Sequence, residues 1–513
     1  MILLIHHQHV STGKWKRLAV ALAVLLLALP LAACDGSVSE LLSATPEPVS
    51  LDLSNTNLTD VSSLLEKTNL ASLDLRGNPI SIESYNALSA ALPDCAILWS
   101  VPVGDERFDS DTAALALNNL PENAETLLSY FPNLKNVSIA VSDESNYSAL
   151  MSLAAAYPNV DFTWNVAFEG ETYENGVTSL DLSGKTVTIE ELTRALSGLP
   201  ALETVTFDDA AVFSTEDQLA LVSAFPNVSF LWNVQLLDDL SVRSDVAELD
   251  LRDYTVPDAA AFSDKLQLLP ALTRLDMCNC GPTDEEMAAM RARYPGTKFI
   301  WMTKVSKWMI RTDIQGFSTG NKRKFPDGMG YYIGKDFEYG NIHAEDFENL
   351  KYCTDLVALD VGHCDNIGNI DFIAGLPKLK YLIISLCNLT DISALENQTD
   401  LEFLEMTYNY LTDISPIRNC TKLRFLNLSA NEVTSIDVYM GLTSLERLWI
   451  NGNHLTEDQV AELQAALPNT LIKAHPTSNE YALSLWRKGN EGYLTIQAMF
   501  GLRAQHQGSV PAG

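Results

Sequence analysis

The chain has 513 residues, 47% of them hydrophobic, with 34 Lys and Arg against 66 Asp and Glu, a formal charge of -32 and a pI near 4.5. That is enough apolar material for a large core or a long array of repeats. So strong a negative balance repels polyanions and keeps the chain soluble, which excludes nucleic acid and an anionic lipid surface as partners.

The first predicted element is a targeting segment. Lys14, Lys16 and Arg17 form a basic stretch, and Leu18 to Leu29 is an apolar run of twelve. Such a run is too short to span a bilayer as a mature helix but suits the apolar part of a signal peptide. Leu31-Ala32-Ala33-Cys34 follows. Small residues before a cysteine at this place resemble the lipobox of bacterial lipoproteins. The resemblance implies cleavage before Cys34 and its diacylation, the one membrane attachment expected; the other reading is an ordinary signal peptide cut after Ala33. Residues 1–33 are therefore expected as signal peptide and 34–48 as a polar tether. No further segment is apolar enough to span a membrane, and no LPxTG-type wall-sorting signal is present.

Residues 49–313 repeat on a long period. "AILWSV", "DFTWNV", "SFLWNV" and "KFIWMT" place Trp99, Trp164, Trp232 and Trp301 at spacings of 65, 68 and 69. A helix-like run ending at Pro93, Pro158, Pro226 or Pro295 precedes each, and strands open the units in "VSLDLS", "TAALAL", "VTSLDL" and "VAELDL". Thr188 with Glu191 and Thr283 with Glu286 read as capping boxes that start helices. The tryptophans are expected in the core.

Residues 314–355 break this period. "STGNKRKFPDGMGYYIGKDFEYGNIHAEDF" is glycine-rich and carries the basic cluster Lys322-Arg323-Lys324. It reads as an insert that connects two repeat geometries, with a binding loop as the alternative.

From residue 356 to 475 the period is 22. "LKYLIISLCNLTDIS", "LEFLEMTYNYLTDIS", "LRFLNLSANEVTSID" and "LERLWINGNHLTEDQ" begin at Leu379, Leu401, Leu423 and Leu445, and a looser copy begins at Leu356. Neither helical nor strand periodicity gives the LxxLxLxxNxL spacing, which is that of a leucine-rich repeat: a short strand with inward leucines, then a turn held by Asn. One coil cannot bury its own leucines, so coils must stack. Asn409, Asn431 and Asn453 hold the turn position, with Cys280, Cys364 and Cys387 as small, weakly polar substitutes. Thr456 with Gln459 starts a full helix in the last repeat. The 22-residue unit with "LTDIS" resembles the internalin-like repeats of bacterial surface proteins. That resemblance implies an α/β solenoid with a curved parallel β-sheet on the concave face and helices or short irregular returns on the convex face. Residues 476–513 are expected as a cap and tail. Within them 485–502 reads as a short amphipathic helix over the last coil's leucines.

The register assigns a candidate binding face. Third positions hold Tyr381, Phe403, Phe425 and Arg447, and fifth positions hold Ile383, Glu405, Asn427 and Trp449, with Tyr408 at an eighth position. All are expected to face out on the concave side, as an aromatic stripe across strands ~4.8 Å apart. Their non-interacting alternative is scattered surface residues or a stripe covered by the C-terminal tail.

No enzymatic constellation is found. The histidines outside the signal segment scatter over different coils, and HExxH, GxSxG and phosphate-cradling motifs are missing. "DERFDSD" at 105–111 lacks the glycine and distal glutamate of a calcium loop, and Cys278-x-Cys280 has no second pair, so no metal or cofactor is expected. The cysteines suggest no disulfide framework. The reading is a non-enzymatic, lipid-anchored protein on the extracytoplasmic face of a bacterial cell membrane. It would bind a protein or peptide through its concave sheet. An envelope scaffold or assembly factor is the alternative, and a hydrolase the third.

Overall fold

The computed structural model describes residues 49–140, 142, 144–208, 213–320, 328–333, 341–475 and 485–501. The signal segment, Cys34, the tether and the cluster Lys322-Arg323-Lys324 lie outside them. The chain forms two compact units, one running to Val177 together with Glu190–Ala201, the other comprising Thr178–Ile189 and everything from Leu202.

In the first unit two of the long repeats each build a four-stranded sheet. Val49–Asp52, Leu70–Leu75 and Ala96–Val103 pair in parallel, and Glu106–Asp109 returns antiparallel on the last of them. Ala114–Leu117, Asn136–Ile139, Asp161–Phe168 and Glu171–Glu174 repeat this arrangement. Helices fill the crossovers that parallel strands require. Ile82–Ala91 starts at Ser81, whose hydroxyl accepts from the Ser84 amide.

The second unit continues with Ser179–Asp181, Thr204–Thr206 and Ser229–Leu231, and then Glu248–Asp250, Arg274–Asp276 and Lys298–Ile300, each a parallel triplet. Hairpins follow again, at Asn233–Leu237 with Leu240–Arg243 and at Met302–Val305 with Trp308–Arg311. The helix Asp284–Arg293 begins with the expected Thr283/Glu286 capping box.

The repeated tryptophans explain the hairpins. Trp99, Trp164, Trp232 and Trp301 are buried where each strand passes from parallel to antiparallel pairing. Their amides donate to Ser110 Oγ, Asn175 Oδ1, Ser244 Oγ and Thr312 Oγ1 at 3.0–3.2 Å. The amides of those four residues return to the tryptophan carbonyls. A buried polar residue thus clasps each hairpin shut and leaves no buried amide unpaired. The turns suit it: Glu169 and Gly170 both have positive φ, 54° and 75°, as a tight two-residue hairpin loop demands. The expected single parallel sheet is therefore divided in 49–313 into separate sheets, each with its own hairpin.

The 22-residue coils form a seven-stranded parallel sheet in the order Gly316–Ser318, Ala358–Asp360, Tyr381–Ile383, Phe403–Glu405, Phe425–Asn427, Arg447–Trp449 and Leu471–Lys473. Its first strand lies in the stretch expected as a connector, so 314–355 is not simply an insert. Gly316–Ser318 is already a coil, and Ala344–Tyr352 is a 3-10 helix. Phe317, Leu359, Leu382, Leu404, Leu426 and Leu448 are directly opposite one another in register and fully buried. Short 3-10 returns at Asp371–Gly375, Ser393–Leu395 and Ser415–Asn419 close the coils. "LTDIS" is the local reason: Asp391 and Asp413 each accept from the serine amide two residues on, at 2.8 Å. The full helix expected in the last repeat spans Glu457–Ala466, behind a Thr456/Gln459 capping box.

The turn position works as expected. Asn409 Nδ2 donates to the Ile384 and Met406 carbonyls, and its Oδ1 accepts from the Cys387 and Leu389 amides. Cys387 Sγ donates to the carbonyls of Val361 and Ser385, and the Cys364 backbone hydrogen-bonds to it. Cysteine therefore keeps the donor contacts of the ladder and accepts from one backbone group where Asn409 accepts from two. Cys280, Cys364 and Cys387 are buried free thiols.

Candidate binding face

The face opposite the leucines carries two columns. One reads Gly316, Ala358, Tyr381, Phe403, Phe425, Arg447 and Leu471 across the sheet, the other Ser318, Asp360, Ile383, Glu405, Asn427, Trp449 and Lys473. The structure thus places Tyr381, Ile383, Phe403, Glu405, Phe425, Asn427, Arg447 and Trp449 together on one face. Tyr408 does not join them. It occupies the turn after the strand with φ of 55°, as do Leu386 and Ala430 in the flanking coils at 58° and 55°. This is a left-handed backbone position, so the eighth residue is set by turn geometry and not by the sheet.

The face is not open. Residues 485–501 lie across it, with a helix at Glu491–Met499. The expectation that this segment caps the last coil is corrected accordingly: Leu471 of the last strand stays 49% exposed while Phe403 is 0% exposed. Ala358, Ile383, Phe403, Phe425 and Trp449 form one apolar cluster with Trp486, Ile496 and Phe500. The Trp486 ring centroid lies 5.5 Å from that of Phe403 and 5.4 Å from that of Trp449. The physical reason is the column itself, since an uncovered aromatic strip of this size is costly in water.

Polar contacts fix the segment. Glu405, fully buried, accepts 2.7 Å from Trp486 Nε1 and 2.6 Å from Arg487 Nη2. Burial of Arg487 opposes its charge, but the Glu405 carboxylate outweighs it and holds the guanidinium above its ordinary value. Arg447 donates to the carbonyls of Trp486, Lys488 and Gly489, and Arg424 pairs with Glu491 at 3.2 Å. Asp360 stands near Arg487 and Glu405. Burial raises its carboxyl above the usual range, although the Gly362 amide and Ser318 hydroxyl donate to it.

Two details show close fit. A Cβ on Gly492 would lie 2.6 Å from Phe403 Cδ2, and one on Gly316 would lie 2.9 Å from the Met499 carbonyl oxygen. One detail shows imperfect fit: Asn427 Nδ2, Trp449 Nε1 and Asn490 Nδ2 are buried without a hydrogen-bond partner among the described residues. Asn427 Oδ1 accepts from the Ser429 amide and hydroxyl, which fixes its amide orientation and leaves the NH2 unused.

A second concavity, of about 640 Å³, lies over the strands Glu248–Asp250 and Arg274–Asp276. Its carboxylates are matched by arginines: Asp276 and Asp313 flank Arg311 at 2.8 and 2.9 Å, and Arg252 lowers Asp250 to about 2. The acidic loop at 105–111 is similarly engaged, with Asp111 on Arg76 and Asp109 on the Ser100 hydroxyl. Among the described residues no group of three or more His, Cys, Asp or Glu is placed to hold a metal, and no helix is long and apolar enough to cross a membrane.

Comparisons with known proteins agree on the repeat. The family model for leucine-rich repeats in two copies matches residues 421–464. None of the curated proteins compared with the chain matches it. Among solved structures, internalin C2 of Listeria monocytogenes is similar at 22% identity over 28% of this chain and 72% of that one, with a TM-score of 0.22. An internalin (inlF) from the same species is 16% identical over 82% and 85%, TM-score 0.24. A leucine-rich repeat protein of Leptospira interrogans is 15% identical over 85% and 98%, TM-score 0.23. The stacked LxL strands, the leucine core behind them and the Asn/Cys ladder make this a leucine-rich repeat solenoid of mixed α/β type.

Proposed function

We propose that the protein is a non-enzymatic recognition module, lipid-anchored through Cys34 on the extracytoplasmic face of a bacterial membrane, that binds a protein or peptide through the concave sheet of its 22-residue coils. The observation that carries this is the face itself. Aromatic residues recur in register on the side the leucine core does not need, with a buried glutamate among them, and that surface holds a non-repeat helix by shape and charge. Aromatic and arginine-rich patches with a buried centre are what protein interfaces use. The Glu405–Arg487 pair is the kind of contact that gives such a site its specificity.

Two experiments test the reading. Lipid labelling of the expressed chain should depend on Cys34 and vanish in Cys34→Ala; labelling that survives removes the anchor. Affinity capture with the chain from residue 35 onward should recover a partner whose cross-links fall on the 381–449 coils. Cross-links confined to other surfaces would remove the concave site.

A further inference from the structure

We propose that the groove lined by Tyr381, Ile383, Phe403, Phe425 and Trp449 is a receptor for an amphipathic helix of a partner protein, and that residues 485–501 are its resident competitor. This rests on the concave-face reading above and names the class of ligand.

Three observations carry it. The leucine core of the coils and the cluster under the helix are separate apolar clusters, with no buried residue in common. The leucine core is therefore closed without the helix, as docking separate from repeat stacking requires. The groove is shaped for a helix, with Gly316 and Ala358 making room at one end and Gly492 meeting two phenylalanine rings. Yet the resident leaves groove groups unused. Asn427 is 0% exposed and Trp449 4% exposed, and among the described residues the side-chain donor of each lacks an acceptor. Buried polar groups are ordinarily satisfied, and unmet ones weaken the occupant that leaves them so.

The chemistry of the preferred ligand follows. It carries an aromatic donor and an arginine ahead of its main helix, to meet Glu405 as Trp486 and Arg487 do ahead of Glu491–Met499. It has a small residue where the helix crosses Phe403 and Phe425. It adds an acceptor, a glutamate or aspartate oxygen, within reach of Asn427 and Trp449. A ligand of this kind takes the groove once its concentration relative to its Kd exceeds the docking equilibrium of the tethered tail.

The probe is a fluorescein-labelled synthetic peptide of residues 485–501, added to the chain from residue 35 onward. The double variant Trp486→Ala, Arg487→Ala, which weakens the resident and leaves the groove intact, should bind it at least about tenfold more tightly than the native chain. Adding Glu405→Gln should reverse the gain. Among probes each carrying one Glu substitution, at least one should bind tighter still and lose that advantage when Asn427→Ala or Trp449→Phe is added. No such position would overturn the acceptor half of the proposal. A folded double variant that does not bind the parent probe would overturn the whole. If the double variant does not fold, hydrogen exchange on the native chain decides: amides of 491–499 should open well before those of 403–405 and 425–427, and equal protection would make the segment a permanent part of the fold. The peptide assay needs no partner, so its failure is distinct from a failure to find one.

Discussion

Replacing Gly492 by alanine sets two effects of opposite sign against each other. Intrinsic helix preference favours Ala over Gly by about 0.5–1 kcal/mol in a helix interior. Gly492 is the second residue of Glu491–Met499, so the gain lies at the lower end. Against it, the new methyl would lie 2.6 Å from Phe403 Cδ2 and 2.9 Å from Phe425 Cδ2. Those rings cannot swing aside: Phe403 is fully buried and sits 5.5 Å from Trp486 and 6.2 Å from Phe425, centroid to centroid. Overpacking a site of this kind costs about 1–3 kcal/mol. The balance is a loss of about 0.5–2.5 kcal/mol, or roughly a 2- to 70-fold larger undocked population. Because the two apolar clusters are separate, the loss falls on helix docking and not on the solenoid. Hydrogen exchange read by mass spectrometry should show amides of 491–499 exchanging about tenfold faster while those of Leu382, Leu404 and Leu426 keep their protection. Slower exchange in 491–499, as helix preference alone predicts, would refute the placement of this helix on the phenylalanine column.

Neighbouring residues on opposite faces should separate by the same measurement. Leu404→Ala should cost about 2–5 kcal/mol and lower the global melting temperature, whereas Phe403→Ala should lose a similar amount locally, releasing 491–499 while the strands stay protected. Asn409→Ala strands the amides of Cys387 and Leu389, which its Oδ1 accepts from, and should cost about 2–4 kcal/mol in urea titration. Asn409→Cys retains the donor half and should cost less; equal costs would remove the ladder argument. Thiol labelling of the native chain should reach the half-buried Cys95 first. Burial pushes Cys280, Cys364 and Cys387 up to about 12, so these should react only on unfolding.

The leucine spacing carried most of the C-terminal half, because an LxL strand leaves one arrangement in which every leucine is covered. It also located the outward columns, since register alone sorts strand residues by face. What covers them entered only as an alternative, the C-terminal tail, and that alternative is the one the structure shows. An amphipathic run at 485–502 says that one side is buried but not against which surface, and the partners of Trp486 and Arg487 lie 81 and 82 residues away in the chain. Two local signals were legible and missed. "LTDVS" at 58–62 matches "LTDIS", and Asp60 accepts from the Ser62 amide as Asp391 and Asp413 do in their coils. Asn78 makes the same four-way ladder contacts as Asn409. The hairpins escaped because their signal is split between a tryptophan and a small polar residue eleven or twelve positions later. Read as the beginning of a single strand, "LWNV" conceals the change from parallel to antiparallel pairing.

The hairpins bear on how the molecule comes apart. In an array of coils, each coil is stabilised through its neighbour, and the hydrogen-bonded ladder is one of the two links between them. Where a clasped hairpin ends a sheet, the strand ladder does not continue into the next sheet. The seven strands from Gly316 to Lys473 have no such interruption. Heat or denaturant should therefore meet a chain with one long cooperative block and several short ones, each about as large as the distance between successive tryptophans. Strand pairing would not carry a nick or a destabilising change out of a short block, whereas the same change among the 22-residue coils would pass along the ladder to all of them.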